Sequence, residues 1–193
     1  MSVVVKICGV RTPEDARAAA DAGADLLGLN FVPTSPRHVE PEQARAVARA
    51  VPDMALVGVF ADTPRETITR IAAAVGLAGL QFHGDEAPAD CRGFAQWTIK
   101  ALRVRPGDDV VARAATYDTT YLLLDAWVAG VPGGTGVAPG RLFVAGGLRP
   151  ETVADVVRRV RPYGVDVASG VEQRPGVKDH DKIEEFVRRA KAA

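Results

Sequence analysis

Short runs of β-branched residues and leucine alternate along the chain with Ala-, Arg- and Glu-rich stretches of helical period. Val3–Ile7 reads as a strand, followed by a helix over Pro13–Ala22 with Thr12 as N-cap and Pro13 in its first turn. Leu26–Asn30 and Pro41–Ala50 form the second pair. Ala55–Phe60 and Pro64–Val75 form the third, with a capping-box spacing at Thr63-Pro64-Arg65-Glu66. Gly79–Phe82 precedes a short helix near Pro88–Phe94, and Thr98–Leu102 precedes Asp108–Ala115. Thr120–Leu124, Leu142–Ala145 with Pro150–Val160, and Gly164–Ala168 with Asp179–Ala192 complete the series. Unbroken apolar runs such as Tyr121-Leu122-Leu123-Leu124 suit a parallel sheet covered on its outer face. Eight strand–helix units predict an α/β fold, a closed (β/α)8 TIM barrel rather than an open doubly wound sheet, in one domain over residues 1–193.

One unit breaks the pattern. Between Asp125 and Leu142 the chain is rich in glycine and proline (Gly130, Pro132, Gly133, Gly134, Gly136, Pro139, Gly140), which predicts that the sixth helix is missing or vestigial.

Composition narrows the classes of partner. Lys plus Arg and Asp plus Glu both number 24, so the formal net charge is zero and no basic stripe marks a nucleic-acid surface. The expectation is no nucleic acid, no membrane and a small-molecule partner. Two cysteines far apart, Cys8 and Cys91, indicate neither a disulfide framework nor a zinc site and fit a reducing cytoplasmic setting. The first residues lack the apolar region of a signal peptide, and no apolar run reaches the roughly 18 residues of a membrane span.

In such barrels the reacting groups stand at the C-terminal strand ends and in the loops that follow. Gly146-Gly147 and Ser169-Gly170 fall after strands seven and eight, where bare backbone N–H groups can hold a phosphate or simply turn the chain. Gly133-Gly134-Thr135-Gly136 is either a third anion nest or a lid. Cys8 is either a small buried hydrophobe or a base whose thiol needs positive charge nearby. Asp125 is either a turn residue or an acid kept partly protonated by desolvation. Arg37, in the Pro-stiffened run Pro33-Thr34-Ser35-Pro36-Arg37, is either a carboxylate clamp or a surface residue. His83 either binds substrate or satisfies a backbone carbonyl. Cys91 reads as structural on an exposed helix, and Lys6 shares the strand parity of Cys8 without a role.

Together these residues carry a resemblance. Lys6-Ile7-Cys8-Gly9, Ser35-Pro36-Arg37, Gln81-Phe82-His83-Gly84-Asp85, Leu123-Leu124-Asp125, Gly133-Gly134-Thr135-Gly136, Ala145-Gly146-Gly147-Leu148 and Val165-Asp166-Val167-Ala168-Ser169-Gly170-Val171-Glu172 resemble the phosphoribosylanthranilate isomerases, in order and over nearly the whole chain. The resemblance implies a cofactor-free Amadori rearrangement in tryptophan biosynthesis, in a monomer or homodimer acting on a phosphorylated small molecule. It implies Cys8 as general base and Asp125 as general acid. Arg37 would hold the anthranilate carboxylate, with Asp166 beside the substrate and the glycines of the last two loops on its phosphate. The sequence departs from the family where about a dozen residues, including a Phe-Asp-Trp run, are absent after Gly136. The competing readings are a non-catalytic or impaired phosphate-binding barrel and another sugar-phosphate isomerase. The two-aspartate histidine-pathway enzyme fits poorly with Cys8, and indole-glycerol-phosphate synthase lacks its lysine and glutamate here.

Overall fold

Strand and helix alternate into a parallel barrel in a computed structural model that describes residues 2–105, 107–125 and 141–193. The strands are β1 (Val4–Cys8), β2 (Leu26–Asn30), β3 (Ala55–Phe60), β4 (Gly79–Phe82), β5 (Trp97–Arg103), β6 (Tyr121–Asp125), β7 (Leu142–Ala145) and β8 (Gly164–Val167). Each pairs with its sequence neighbours, and β8 closes on β1 through the register Lys6↔Asp166. The helices are α1 (Pro13–Asp21), α2 (Pro41–Ala50), α3 (Arg65–Val75), α4 (Val110–Ala115), α5 (Pro150–Val160) and α6 (His180–Lys191). Thr12 caps α1 as its sequence predicts, its Oγ1 accepting from the Asp15 N–H at 3.1 Å.

Because strand side chains alternate, half of each strand packs under the helices and half fills the interior. The outward set joins the helical faces, for example Val153 and Val156 of α5 and Ile183, Phe186 and Val187 of α6. The inward set is layered. At the N-terminal end an aromatic floor is built from Trp97, Tyr121, Phe143 and Tyr163, with Tyr121 edge-on to Trp97 and Phe143 and stacked on Tyr163 at 4.7 Å. Glycines make room for it: a Cβ at Gly79 would lie 2.4 Å from Trp97, and one at Gly164 would lie 2.3 Å from Phe143. Above the floor sit Val57, Ile99 and Leu123, and above these the polar strand ends begin.

Several expectations need correction. Thr63 does not cap α3; Pro64 holds the N-cap position, and the Thr63 hydroxyl donates to the Ala61 carbonyl. No helix forms over Pro88–Phe94, where Gly93 takes a φ of 72° and a buried ion pair does the bridging. Lys100 Nζ donates to Glu86 Oε2 at 2.6 Å and to the Gly84 carbonyl at 2.7 Å, while Glu86 Oε1 accepts from the Asp62 N–H. Cys91 is buried rather than exposed, and burial pushes its thiol up to about 11. The loop after β8 holds a single 3-10 turn (Ser169–Val171) and then an unforeseen hairpin, β9 (Glu172–Arg174) with β10 (Val177–Lys178). The missing sixth helix and the Gly133–Gly136 nest concern a segment outside the described residues.

Candidate active site

Cys8 is the last residue of β1 and points inward, one pleat above Lys6. Both are buried, and Lys6 completely so. Lys6 Nζ donates to Asp166 Oδ1 at 2.7 Å, an ion pair across the seam that closes the barrel. Gly28 on the adjoining strand leaves space for this cluster, since a Cβ there would lie 2.8 Å from Cys8 Sγ and 3.1 Å from Lys6 Nζ. Burial pushes the Cys8 thiol up, and the charge of Lys6 is the largest influence pulling it back, with Lys178 adding to it. For Lys6, burial pulls the ammonium down, but Asp166 and Cys8 outweigh it and hold it above its usual value.

Asp125 ends β6 as Cys8 ends β1. Its carboxylate meets His83 Nε2 at 3.2 Å, and His83 Nδ1 meets Gln81 Nε2 at 3.2 Å. His83 therefore does not satisfy a backbone carbonyl; it links the ends of β4 and β6. The hydrogen bond from His83 holds the Asp125 carboxyl below the ordinary carboxylate range, with burial opposing and Arg103 assisting. Desolvation alone would raise this group, but the hydrogen bond from His83 outweighs it.

Arg37 is aimed by its own loop and by the hairpin. Ser35 Oγ accepts from the Arg37 N–H at 3.1 Å, and the aliphatic stem of Arg37 packs over Gly9, whose φ of 75° and missing Cβ let it approach. Its Nε and Nη2 donate to the two oxygens of Glu172 at 2.7 and 2.8 Å. Glu172 also accepts from Lys178 Nζ at 3.2 Å, and Lys178 donates to the Ala168 carbonyl at 2.9 Å. Burial pushes the Glu172 carboxyl up, but Arg37 and Lys178 together hold it below its usual value. Arg37 thus already clamps a carboxylate of its own chain, and Nη1 is the nitrogen that Glu172 leaves unused.

The two glycine loops meet. Gly146 and Gly147 both have positive φ, 85° and 68°, a backbone that glycine adopts without strain. Gly170 packs so closely on the first loop that a Cβ would lie 1.8 Å from the Leu148 carbonyl oxygen. The start of α5 follows directly, with the Arg149 N–H donating to Thr152 Oγ1 at 3.1 Å.

These groups line one cavity of about 430 Å³ at the C-terminal rim: Cys8, Arg37, His83, Asp125, Asp166, Gly146, Gly147, Ser169 and Gly170 all reach it. All nine residues singled out from the sequence are therefore brought together. Lys6, Arg103, Glu172 and Lys178 were assigned no role from sequence. Parity with Cys8 signals Lys6, and the Ser-Gly-Val-Glu run contains Glu172, but a contact spanning 135 residues leaves no local trace. The cavity offers a thiol beside positive charge, a carboxylate–imidazole pair, a guanidinium and a backbone anion cradle. Among the described residues, no group of three or more His, Cys, Asp or Glu side chains is placed to hold a metal ion, and no helix is long and apolar enough to cross a membrane.

Comparison with known proteins places this arrangement. The family model described as N-(5'-phosphoribosyl)anthranilate (PRA) isomerase matches residues 5–189. An N-(5'-phosphoribosyl)anthranilate isomerase of Pseudomonas putida is 50% identical, with 97% of each chain covered. That of Thiobacillus denitrificans is 48% identical over an alignment of 205 positions that covers 100% of both chains. Since this chain has 193 residues, about a dozen of those positions have no counterpart in it, the size of the shortfall read after Gly136. Among solved structures, a phosphoribosyl anthranilate isomerase in complex with reduced 1-(o-carboxyphenylamino)-1-deoxyribulose 5-phosphate superposes with a TM-score of 0.90 at 40% identity, covering 99% of this chain and 100% of that one. Monomers generated from the dimeric enzyme of Thermotoga maritima give a TM-score of 0.89 at 39% identity, covering 99% and 100%.

Proposed function

Because this chain belongs to the N-(5'-phosphoribosyl)anthranilate isomerase family, we propose that it performs the family's Amadori rearrangement with Cys8 as general base and Asp125 as general acid. The substrate is N-(5-phosphoribosyl)anthranilate and the product 1-(2-carboxyphenylamino)-1-deoxyribulose 5-phosphate, an isomerisation in tryptophan biosynthesis. The observation that carries the assignment is the shared cavity: the terminal residues of β1 and β6 both line the space that the two glycine loops border.

The chemistry follows from the groups present. The N–H groups of Gly146, Gly147, Ser169 and Gly170 receive the phosphate, with the N-terminus of α5 behind them. Arg37, already oriented by Glu172, turns Nη1 towards the anthranilate carboxylate. Asp125 delivers a proton to the furanose ring oxygen, the C1–O bond breaks, and the anilino nitrogen's lone pair forms the C1=N bond of a Schiff base. That cation acidifies C2–H. The Cys8 thiolate takes the C2 proton, the C–H pair forms C1=C2, and the C1=N electrons return to nitrogen. Tautomerisation of the enolamine then gives the ketose. Asp125 lies against His83 Nε2 at 3.2 Å, so the acid is a hydrogen-bonded pair rather than a lone carboxyl. Asp166 borders the same sugar while holding Lys6.

We read residues 1–193 as one barrel domain acting in the cytoplasm on a small phosphorylated molecule, without a cofactor or nucleic acid, as a monomer or homodimer. The test is turnover: purified protein given the substrate should abolish its fluorescence. Cys8→Ala should lower kcat by about 10²–10⁴, the range of a lost general base. No turnover by folded wild-type protein would favour a non-catalytic phosphate-binding barrel, and near-normal activity of Cys8→Ala would remove the thiol from the reaction.

A further inference from the structure

We propose that Lys6 is a positioning residue of the reaction: held against Asp166 beneath Cys8, its buried ammonium is the counter-charge that allows the thiol to ionise inside the barrel. The inference rests on the reading of Cys8 as base and concerns how that base is made available.

The geometry is specific. Lys6 Nζ and Cys8 Sγ lie 3.1 and 2.8 Å from the same point, the position a Cβ would occupy on Gly28, and so are less than about 6 Å apart. The bond to Asp166 at 2.7 Å uses one of the three ammonium donors. A side chain this deeply buried is costly to charge, so a lysine with no exposed surface here needs compensating anions. Asp166 supplies one.

The charges around the thiol show what remains. Facing Cys8 are Lys6 on its own strand, Asp166 on β8, Lys178 on β10, and Arg37 in the loop after β2; Glu172 on β9 joins the last two. His83 and Asp125, already paired, and Arg103 border the same cavity from β4, β6 and β5. The cluster next to the sulfur thus holds three cations, Lys6, Arg37 and Lys178, and two carboxylates, Asp166 and Glu172. It carries a net positive charge while Cys8 is a thiol and becomes neutral when the S–H bond breaks and its proton leaves through the cavity to water. The thiolate left behind is the group that accepts the C2 proton. Among these cations Lys6 exerts the largest pull on the thiol, whereas Asp166 acts against ionisation.

Opposite signs make the proposal testable without reference to turnover. Iodoacetamide reacts with the thiolate, so the alkylation rate of the Cys8 peptide at fixed pH, followed by mass spectrometry, reports its ionised fraction. Lys6→Met should slow alkylation by about threefold or more per unit rise in thiol pKa, allowing for the greater reactivity of a more basic thiolate. Asp166→Asn should speed it, and the Lys6→Met/Asp166→Asn double variant should fall between the two. Folding of each is checked by circular dichroism. If Lys6→Met does not fold, Asp166→Asn decides: acceleration supports the proposal, and an unchanged or slower rate overturns it. Alkylation of Lys6→Met at the wild-type rate, or both single variants moving in one direction, also overturns it and leaves the ion pair as scaffolding. The role of Cys8 itself is decided separately, by the activity of Cys8→Ala.

Discussion

Two side chains hold protons in the reverse of the order the proposed reaction needs. Burial pushes the Cys8 thiol up, and His83 holds the Asp125 carboxyl down, so the resting pair is thiol plus carboxylate. The pair the proposed mechanism calls for is thiolate plus carboxylic acid. Both forms contain the same number of protons, so their ratio does not change with pH between the two titrations. The expected kcat/KM profile is therefore flat between the two titrations, falling only on the acid side, as Asp125 protonates, and on the alkaline side, as Cys8 ionises. A limb inside that window that disappears in Cys8→Ser would contradict the assignment. Asp125→Asn should impair ring opening while a product analogue binds nearly as before; calorimetry showing an equal loss of binding would make Asp125 a binding residue. The same pair affects stability. The carboxyl's folded value lies below its unfolded one, so its contribution is present above the ordinary carboxylate range and is lost as pH falls through the folded value.

At the level of elements, the hairpin after β8 aims the guanidinium that lies across the rim. Glu172 on β9 takes two of the Arg37 nitrogens, and Lys178 on β10 braces Glu172. Glu172→Gln should therefore raise KM by about tenfold, the worth of a charge-assisted hydrogen bond, with a smaller change in kcat. An unchanged KM in steady-state kinetics would show that Arg37 needs no such brace. This hairpin also marks the limit of what the residues reveal on their own. Strands such as Ala55–Phe60 and Leu142–Ala145 and helices such as Pro41–Ala50 and Pro150–Val160 announce themselves to the residue, through apolar runs and prolines at first turns. Arg174 to Val177 has no such pattern, because its pairing is held by ion pairs to distant elements. The Pro88–Phe94 stretch misleads for a related reason: its local composition resembles a short helix, but Lys100 and Glu86 hold it in an irregular loop. Cys8 and Asp125 were legible as groups at strand ends, and Arg37 as one in the loop after a strand. Their partners His83, Lys6 and Glu172 became legible as partners only once the barrel had closed.

For the whole molecule, the layered interior divides labour along the barrel axis. Inside the barrel, aromatic packing lies at the floor and the cavity-lining groups at the rim, with Val57, Ile99 and Leu123 between them. Phe143 is fully buried and makes edge contacts with Tyr121 and Tyr163. Phe143→Ala should cost about 3–5 kcal/mol and lower Tm by roughly 10 °C or more in thermal melts. KM should stay close to wild type in the surviving folded protein. A large rise in KM at unchanged Tm would mean that floor and rim are not independent.

Among the described residues, a vessel stoppered at its base opens over the rim. Whatever enters over the rim must back out by the same route, so departing ketose and arriving aldose contend for one passage. The ketose should then act as a competitive inhibitor of its own formation.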